Sequence, residues 1–241
     1  MNSKIIISAL LGMTLFLAVL VASPDTQQRL RQRLGLTSDE QVELTPFYHR
    51  IVKYHRRVSG NAPERSVQFI GDSFIQGLCV SAVASPAVNF GIGGDTTLGI
   101  LQRIPQYPSL QTASSIVLAA GFNDMWRHAN DEIVDNFQSI VRSLPADVPL
   151  VMMAVFPVDE RVEPAFAGRN ARIAALNVGL EALCKATPRC TFLDINGQLR
   201  DESGNLSMQY QDGDGLHLSS VGNAVWISAL KPLVAKHTAA N

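Results

Sequence analysis

Val67-Gln68-Phe69-Ile70-Gly71-Asp72-Ser73-Phe74 passes from a branched, apolar stretch through a glycine to an acid and a serine. The apolar part is too short for a core helix and suits a strand covered on both faces. Gly71 lets the chain turn closely, and Asp72 or Ser73 can open the next helix. The same alternation continues downstream. Residues 88–90, 116–119, 150–155 and 191–195 are further short apolar runs, and residues 96–104, 131–143, 165–184 and 219–234 carry helical patterns. Pro145, Pro149 and Pro188 punctuate the approach to strands. Strands alternating with helices predict a three-layer α/β domain with a mostly parallel central sheet, over residues 61–241.

Upstream, residues 5–22 are 18 positions without a charge, which as a helix would cover about 27 Å at about 1.5 Å per residue. Residues 1–23 therefore read as a signal anchor or a signal peptide. The anchor is favoured because Leu20-Val21-Ala22 and Val21-Ala22-Ser23 are poor cleavage sites. Residues 24–60 read as a membrane-proximal helical segment in which Phe47, Ile51, Tyr54 and Val58 recur at helical spacing between basic residues. The expected partner of the N-terminal helix is a membrane, and the expected location is extracytoplasmic, anchored or exported, periplasmic in a bacterium.

The 241-residue chain sets 20 Lys and Arg against 21 Asp and Glu, and is 17% charged and 46% hydrophobic. That is too apolar for a disordered chain and too balanced for a nucleic-acid binder. Cys184 and Cys190 can pair in an oxidising compartment, leaving Cys79 free.

Polar residues that chemistry could use sit just after the predicted strands, where open α/β sheets build their sites. Ser73 can project its hydroxyl into the crevice, while the bland alternative makes Asp72 or Ser73 a helix cap. Asn89-Phe90-Gly91-Ile92-Gly93-Gly94-Asp95-Thr96-Thr97 forms a glycine-rich turn with exposed N–H groups. It lacks the last glycine of a dinucleotide fingerprint and the Lys of a phosphate loop. Asn123, in Gly121-Phe122-Asn123-Asp124, offers a neutral amide donor, or else holds a turn. In Asp212-Gly213-Asp214-Gly215-Leu216-His217-Leu218, Asp214 can orient His217 as a general base towards Ser73. A metal cluster of Asp212, Asp214 and His217 with Asp72 or Asp124 is the alternative chemistry, without ligand spacing to support it. No metal or cofactor is expected.

These four stretches, in this order, resemble the SGNH hydrolases, the branch of GDSL-type esterases and lipases with a flavodoxin-like sheet. The glycine block at residues 89–97 is similar to that of the platelet-activating-factor acetylhydrolase catalytic subunits, a branch of the same superfamily. The resemblance covers residues 66–233. It implies that Ser73 is the nucleophile, His217 the general base and Asp214 its orienting carboxylate. It further implies an oxyanion hole made by the N–H groups of Ser73 and Gly94 and the Asn123 amide. The implied function is a serine esterase working through an acyl-enzyme on short acyl or acetyl esters, with a small-molecule or glycan ester as substrate. A lysophospholipase, or an acyltransferase acting on envelope or exported carbohydrate, is the alternative. Phe74, Leu78, Phe122, Met125, Trp126, Phe156 and Pro157 stand where pocket walls would be. Oligomeric state is not readable from these residues.

Overall fold

The structure, a computed structural model, describes residues 44–239. The chain divides into two compact units, Met1–Arg50 and Ile51–Asn241. All strands among the described residues belong to the second. They are β1 (Val67–Gly71), β2 (Ala87–Gly91), β3 (Ser115–Ala119), β4 (Leu150–Met153) and β5 (Cys190–Leu193). Their order is β2-β1-β3-β4-β5, and every neighbouring pair is parallel. This is the flavodoxin-like order, with its switch point between β1 and β3. All residues of β1, β3 and β4 are buried, so these strands read as continuous apolar runs rather than alternating ones.

The helices are α1 (Pro46–Ser59), α2 (Ser73–Gln76), α3 (Thr97–Arg103), α4 (Asn130–Ser143), α5 (Arg169–Lys185), α6 (Asn196–Leu199) and α7 (Ser220–Ala239). From β1 the chain steps outward to β2, then returns past β1 to β3 and continues to β5. Right-handed crossovers then put α2 on one face and α3, α4 and α5 on the other. On that second face α4 packs against both α3 and α5. A Cβ added at Gly71 would lie 2.0 Å from the Ala119 carbonyl oxygen. Only glycine lets β1 end this close to β3, and the chain leaves that point straight into Asp72 and Ser73.

Most elements shift from the expected bounds by a residue or two and α7 runs on to Ala239; at two of the larger departures a side chain serves the backbone from a distance. β4 stops at Met153 rather than continuing to 155. There, Asn177 takes both Val155 backbone groups, Oδ1 accepting from its N–H at 2.8 Å and Nδ2 donating to its carbonyl at 2.9 Å. The helix expected from 165 begins at Arg169, after a 3-10 turn at Pro164–Phe166. The Glu160 carboxylate accepts from the N–H groups of Gly168 and Asn170 at 3.1 and 2.7 Å, satisfying amides at that start. β5 begins at Cys190, where a disulfide to Cys184 joins it to the end of α5. Cys79 is free and exposed.

The expected membrane anchor, the membrane as a partner and the membrane-anchored location are corrected. Among the described residues no helix is long and apolar enough to cross a membrane. The stretch that prompted the expectation, residues 1–23, lies outside the described residues.

Candidate active site

The C-terminal ends of β1 and β3 flank the switch point, the crevice where open α/β sheets hold ligands. β1 delivers Asp72 and Ser73 there. Asp72 caps α2 by accepting the Phe74 N–H at 3.0 Å, and Ser73 is the first residue of that helix. Of the two readings of this tripeptide, the cap falls to Asp72. The Ser73 hydroxyl is left to meet His217, with Oγ 2.8 Å from Nε2.

His217 arrives from the far end of the chain on a loop that is folded on itself. Gln211 and Leu218 pair across its base, and Gln211 Oε1 accepts from the Gly213 and Gly215 N–H groups at 2.8 and 2.9 Å. Within the loop, Asp214 Oδ1 accepts from the backbone N–H groups of Leu216 and His217, and Oδ2 lies 2.5 Å from His217 Nδ1. A carboxylate facing Nδ1 fixes the proton there, which leaves Nε2 as the acceptor for the serine proton. Burial works against the Asp214 charge. The hydrogen bonds from the His217 ring and the two N–H groups outweigh it and hold this carboxyl below its ordinary value.

The glycine turn follows β2. Gly94 sits at φ +75, a left-handed conformation that favours glycine and turns its N–H outward. Neither the Ser73 nor the Gly94 N–H has a hydrogen-bond partner among the described residues. Thr96, rather than Asp95, caps α3, its hydroxyl accepting from the Gly99 N–H. Asn123 opens a 3-10 turn after β3, and its Nδ2 donates to the Asp95 carbonyl at 2.9 Å. One amide hydrogen is thereby used to orient the group and one remains. Asp124, fully buried, accepts from the N–H and hydroxyl of Thr97, which clamps the Asn123 turn to the start of α3. The five residues expected at the site thus lie on three strand ends and one loop. Serine, histidine and aspartate are joined by hydrogen bonds, and the Asn123 amide is tied to the residue after Gly94.

Of the expected wall residues, Phe74, Leu78, Phe122, Met125, Phe156 and Pro157 are buried. Trp126 is 46% exposed and carries the Arg169 guanidinium over its ring at 4.2 Å. Among the described residues no group of three His, Cys, Asp or Glu side chains could hold a metal ion. Sequence reasoning missed Arg103, a fully buried cation bonded to Asp95. Its signal was its spacing, since Thr96, Ile100 and Arg103 fall on one face of α3.

Burial lifts the Asp72 carboxyl from 3.8 to about 8, the Asp95 and Asp124 charges adding to this and the Phe74 N–H opposing it. Between those two values the native state holds a proton that the unfolded chain has released. Asp72 therefore weakens the fold progressively as pH rises from 3.8 to about 8. Asp72→Asn keeps an acceptor for Phe74 and removes the titration. Its Tm relative to the parent should climb between about pH 5 and about pH 8 in thermal denaturation. A Tm difference that is flat with pH would contradict this.

A parallel α/β sheet presenting a serine, a histidine and an aspartate at its switch point defines a serine hydrolase. The profile of the GDSL-like Lipase/Acylhydrolase family matches residues 69–225, more than half of the chain, and the chain belongs to that family. It is a carboxylic ester hydrolase of the SGNH/GDSL type. It is similar to the platelet-activating factor acetylhydrolase IB subunit alpha1 of Bos taurus, with 28% identity over 75% of this chain and 80% of the other. A solved structure from Streptococcus pneumonia, provisionally described as a platelet activating factor, superposes with a TM-score of 0.72. It is 26% identical and covers 78% of this chain and 92% of its own. A GDSL-like lipase from Bacteroides thetaiotaomicron superposes at 0.68, with 21% identity over 77% of this chain and 97% of its own.

Proposed function

We propose that this esterase acts on acetyl and other short acyl esters, with Ser73 as nucleophile, His217 as general base, Asp214 as its orienting carboxylate, and the Ser73 N–H, Gly94 N–H and Asn123 amide as oxyanion donors. The observation that carries the esterase reading is Ser73 Oγ at 2.8 Å from His217 Nε2, with Asp214 on Nδ1. The sequence neighbours of Ser73, Asp72 and Phe74, line a small cavity of ≈ 10 Å³ together with Ala119, Ala120, Phe122, Ala154, Val155 and Phe156. That is room for one water-sized group, so the interior next to Phe74 offers no tunnel for an alkyl chain, which supports a short acyl group. The walls resist enlargement, because Phe74 and Phe156 pack edge to face at 5.2 Å and Phe156 packs on buried Trp226 at 5.0 Å. The acetylhydrolase named among the relatives supports the same reading.

The reaction follows from the hydrogen bonds. Ser73 Oγ attacks the ester carbonyl as its proton passes to His217 Nε2. The cation that forms on the imidazole is stabilised by Asp214, 2.5 Å from Nδ1. Negative charge on the carbonyl oxygen meets neutral donors that need not reorganise during the step. His217 returns its proton to the leaving alcohol. Water, deprotonated by the same nitrogen, then releases the acid and regenerates Ser73.

Initial rates on p-nitrophenyl acetate, butyrate and octanoate test the size limit. Activity should fall along the series, with kcat/KM at least about tenfold lower for butyrate than for acetate. Equal or greater activity on octanoate, or fatty-acid release from a lysophospholipid without acetyl-ester cleavage, would overturn the short-acyl reading.

A further inference from the structure

Arg103 is wholly buried behind the three oxyanion donors rather than among them. Its Nε donates to Asp95 Oδ2 at 2.8 Å and its Nη2 to the Gly71 carbonyl at 3.0 Å. The Gly71 carbonyl also accepts the Ile92 N–H at 3.0 Å. One guanidinium thus ties the end of β1, two residues before Ser73, to the turn that holds Gly94. Asp95 extends the tie, because its backbone carbonyl accepts the Asn123 amide at 2.9 Å. The Arg103 guanidinium also lies over the Tyr107 ring, 5.7 Å from its centroid, and the Tyr107 hydroxyl meets His55 Nδ1 on α1 at 3.4 Å. Arg103 Nη1 is buried with no partner among the described residues.

A buried ion pair is a poor device for stability alone, since apolar residues of similar volume often do as well or better. A planar fork that spans two backbone segments at once is a good device for fixing their separation. We propose that Arg103 is a positioning residue that sets the spacing of the oxyanion donors at Ser73, Gly94 and Asn123 through Asp95 and the Gly71 carbonyl. This rests on the assignment of those three donors made above.

The full chain should be compared with Arg103→Lys, which keeps the charge but loses the fork, and with Arg103→Gln combined with Asp95→Asn, which leaves no unpaired buried charge. The substrate is p-nitrophenyl acetate. The probe is 1,1,1-trifluoroacetone, whose carbonyl adds a serine hydroxyl to give a tetrahedral adduct with charge on the same oxygen. Folded variants should lose about 10- to 100-fold in kcat, since small misplacements of donors are costly. KM should stay within about threefold, because these donors act on the transition state rather than on the bound ester. The inhibition constant for the ketone should rise by the same factor as kcat falls. Adding Asn123→Ala to either variant should cost less than it does alone, because residues acting through one another are not additive.

Folded variants with unchanged kcat and ketone binding would overturn the inference. So would full additivity with Asn123→Ala, and so would failure of both variants to fold, which would make the pair a requirement of the core. If Asn123→Ala by itself leaves kcat and ketone binding unchanged, the donor assignment falls and this inference falls with it. An Asn123 effect without an Arg103 effect removes the positioning role only.

Discussion

Ser73→Ala, prepared in the full chain, should hydrolyse p-nitrophenyl acetate about 10⁴- to 10⁶-fold more slowly than the parent, with its melting temperature little changed. The size of the loss comes from removing the covalent step, because no neighbouring hydroxyl is hydrogen-bonded to His217 Nε2 in its place. The fold should tolerate the change. The helix cap belongs to Asp72, and Ser73 contributes no hydrogen bond to the sheet. The remaining rate above water would report what the oxyanion donors and binding supply by themselves. Retention of a tenth or more of the activity in folded Ser73→Ala would remove Ser73 as the nucleophile.

His217→Ala should cost about 10⁴-fold or more in kcat, with KM within about threefold. The imidazole moves protons rather than holding the ester, so KM should survive its loss while proton transfer does not. Truncation also strands Asp214. That carboxylate is half exposed and can be hydrated where it stands, so the variant should remain folded, as circular dichroism would show. A drop confined to KM, or a rate near that of the parent, would mean that another group takes the serine proton.

The alternation of short apolar runs with helical patterns was sufficient to anticipate a mostly parallel α/β sheet, because strands buried on both faces leave no polar alternation to confuse with loops. The site stretches were visible for a related reason. Ser73, Gly94 and Asn123 each follow a strand directly, and Asp214 lies three residues from His217, so every feature is local. What stayed hidden acts between distant positions. Asn177 ends β4 from 22 residues away, and Glu160 serves the start of α5 from a loop. Neither has a pattern that a window of sequence would expose. Arg103 reads as an ordinary cation at the end of an amphipathic helix until its burial against Asp95 and the Gly71 carbonyl is seen. The N-terminal stretch misled differently. Its composition is that of a membrane segment, yet composition says nothing about what that segment does in the folded chain.

The loop from Gln211 to Leu218 carries both the imidazole and its carboxylate, and most of its internal hydrogen bonds close within eight residues. Its contacts with the rest of the domain include the Asp159 N–H to the Gly215 carbonyl at 2.7 Å, the Ser73 hydroxyl on His217 Nε2, and the Leu218 side chain in the core. Such a unit can open at a cost below that of melting the whole domain. When it opens, Ser73 parts from His217 while His217 keeps its hydrogen bond to Asp214. Activity is therefore expected to fall on heating before the circular dichroism of the sheet does, and to return on cooling while the sheet stands.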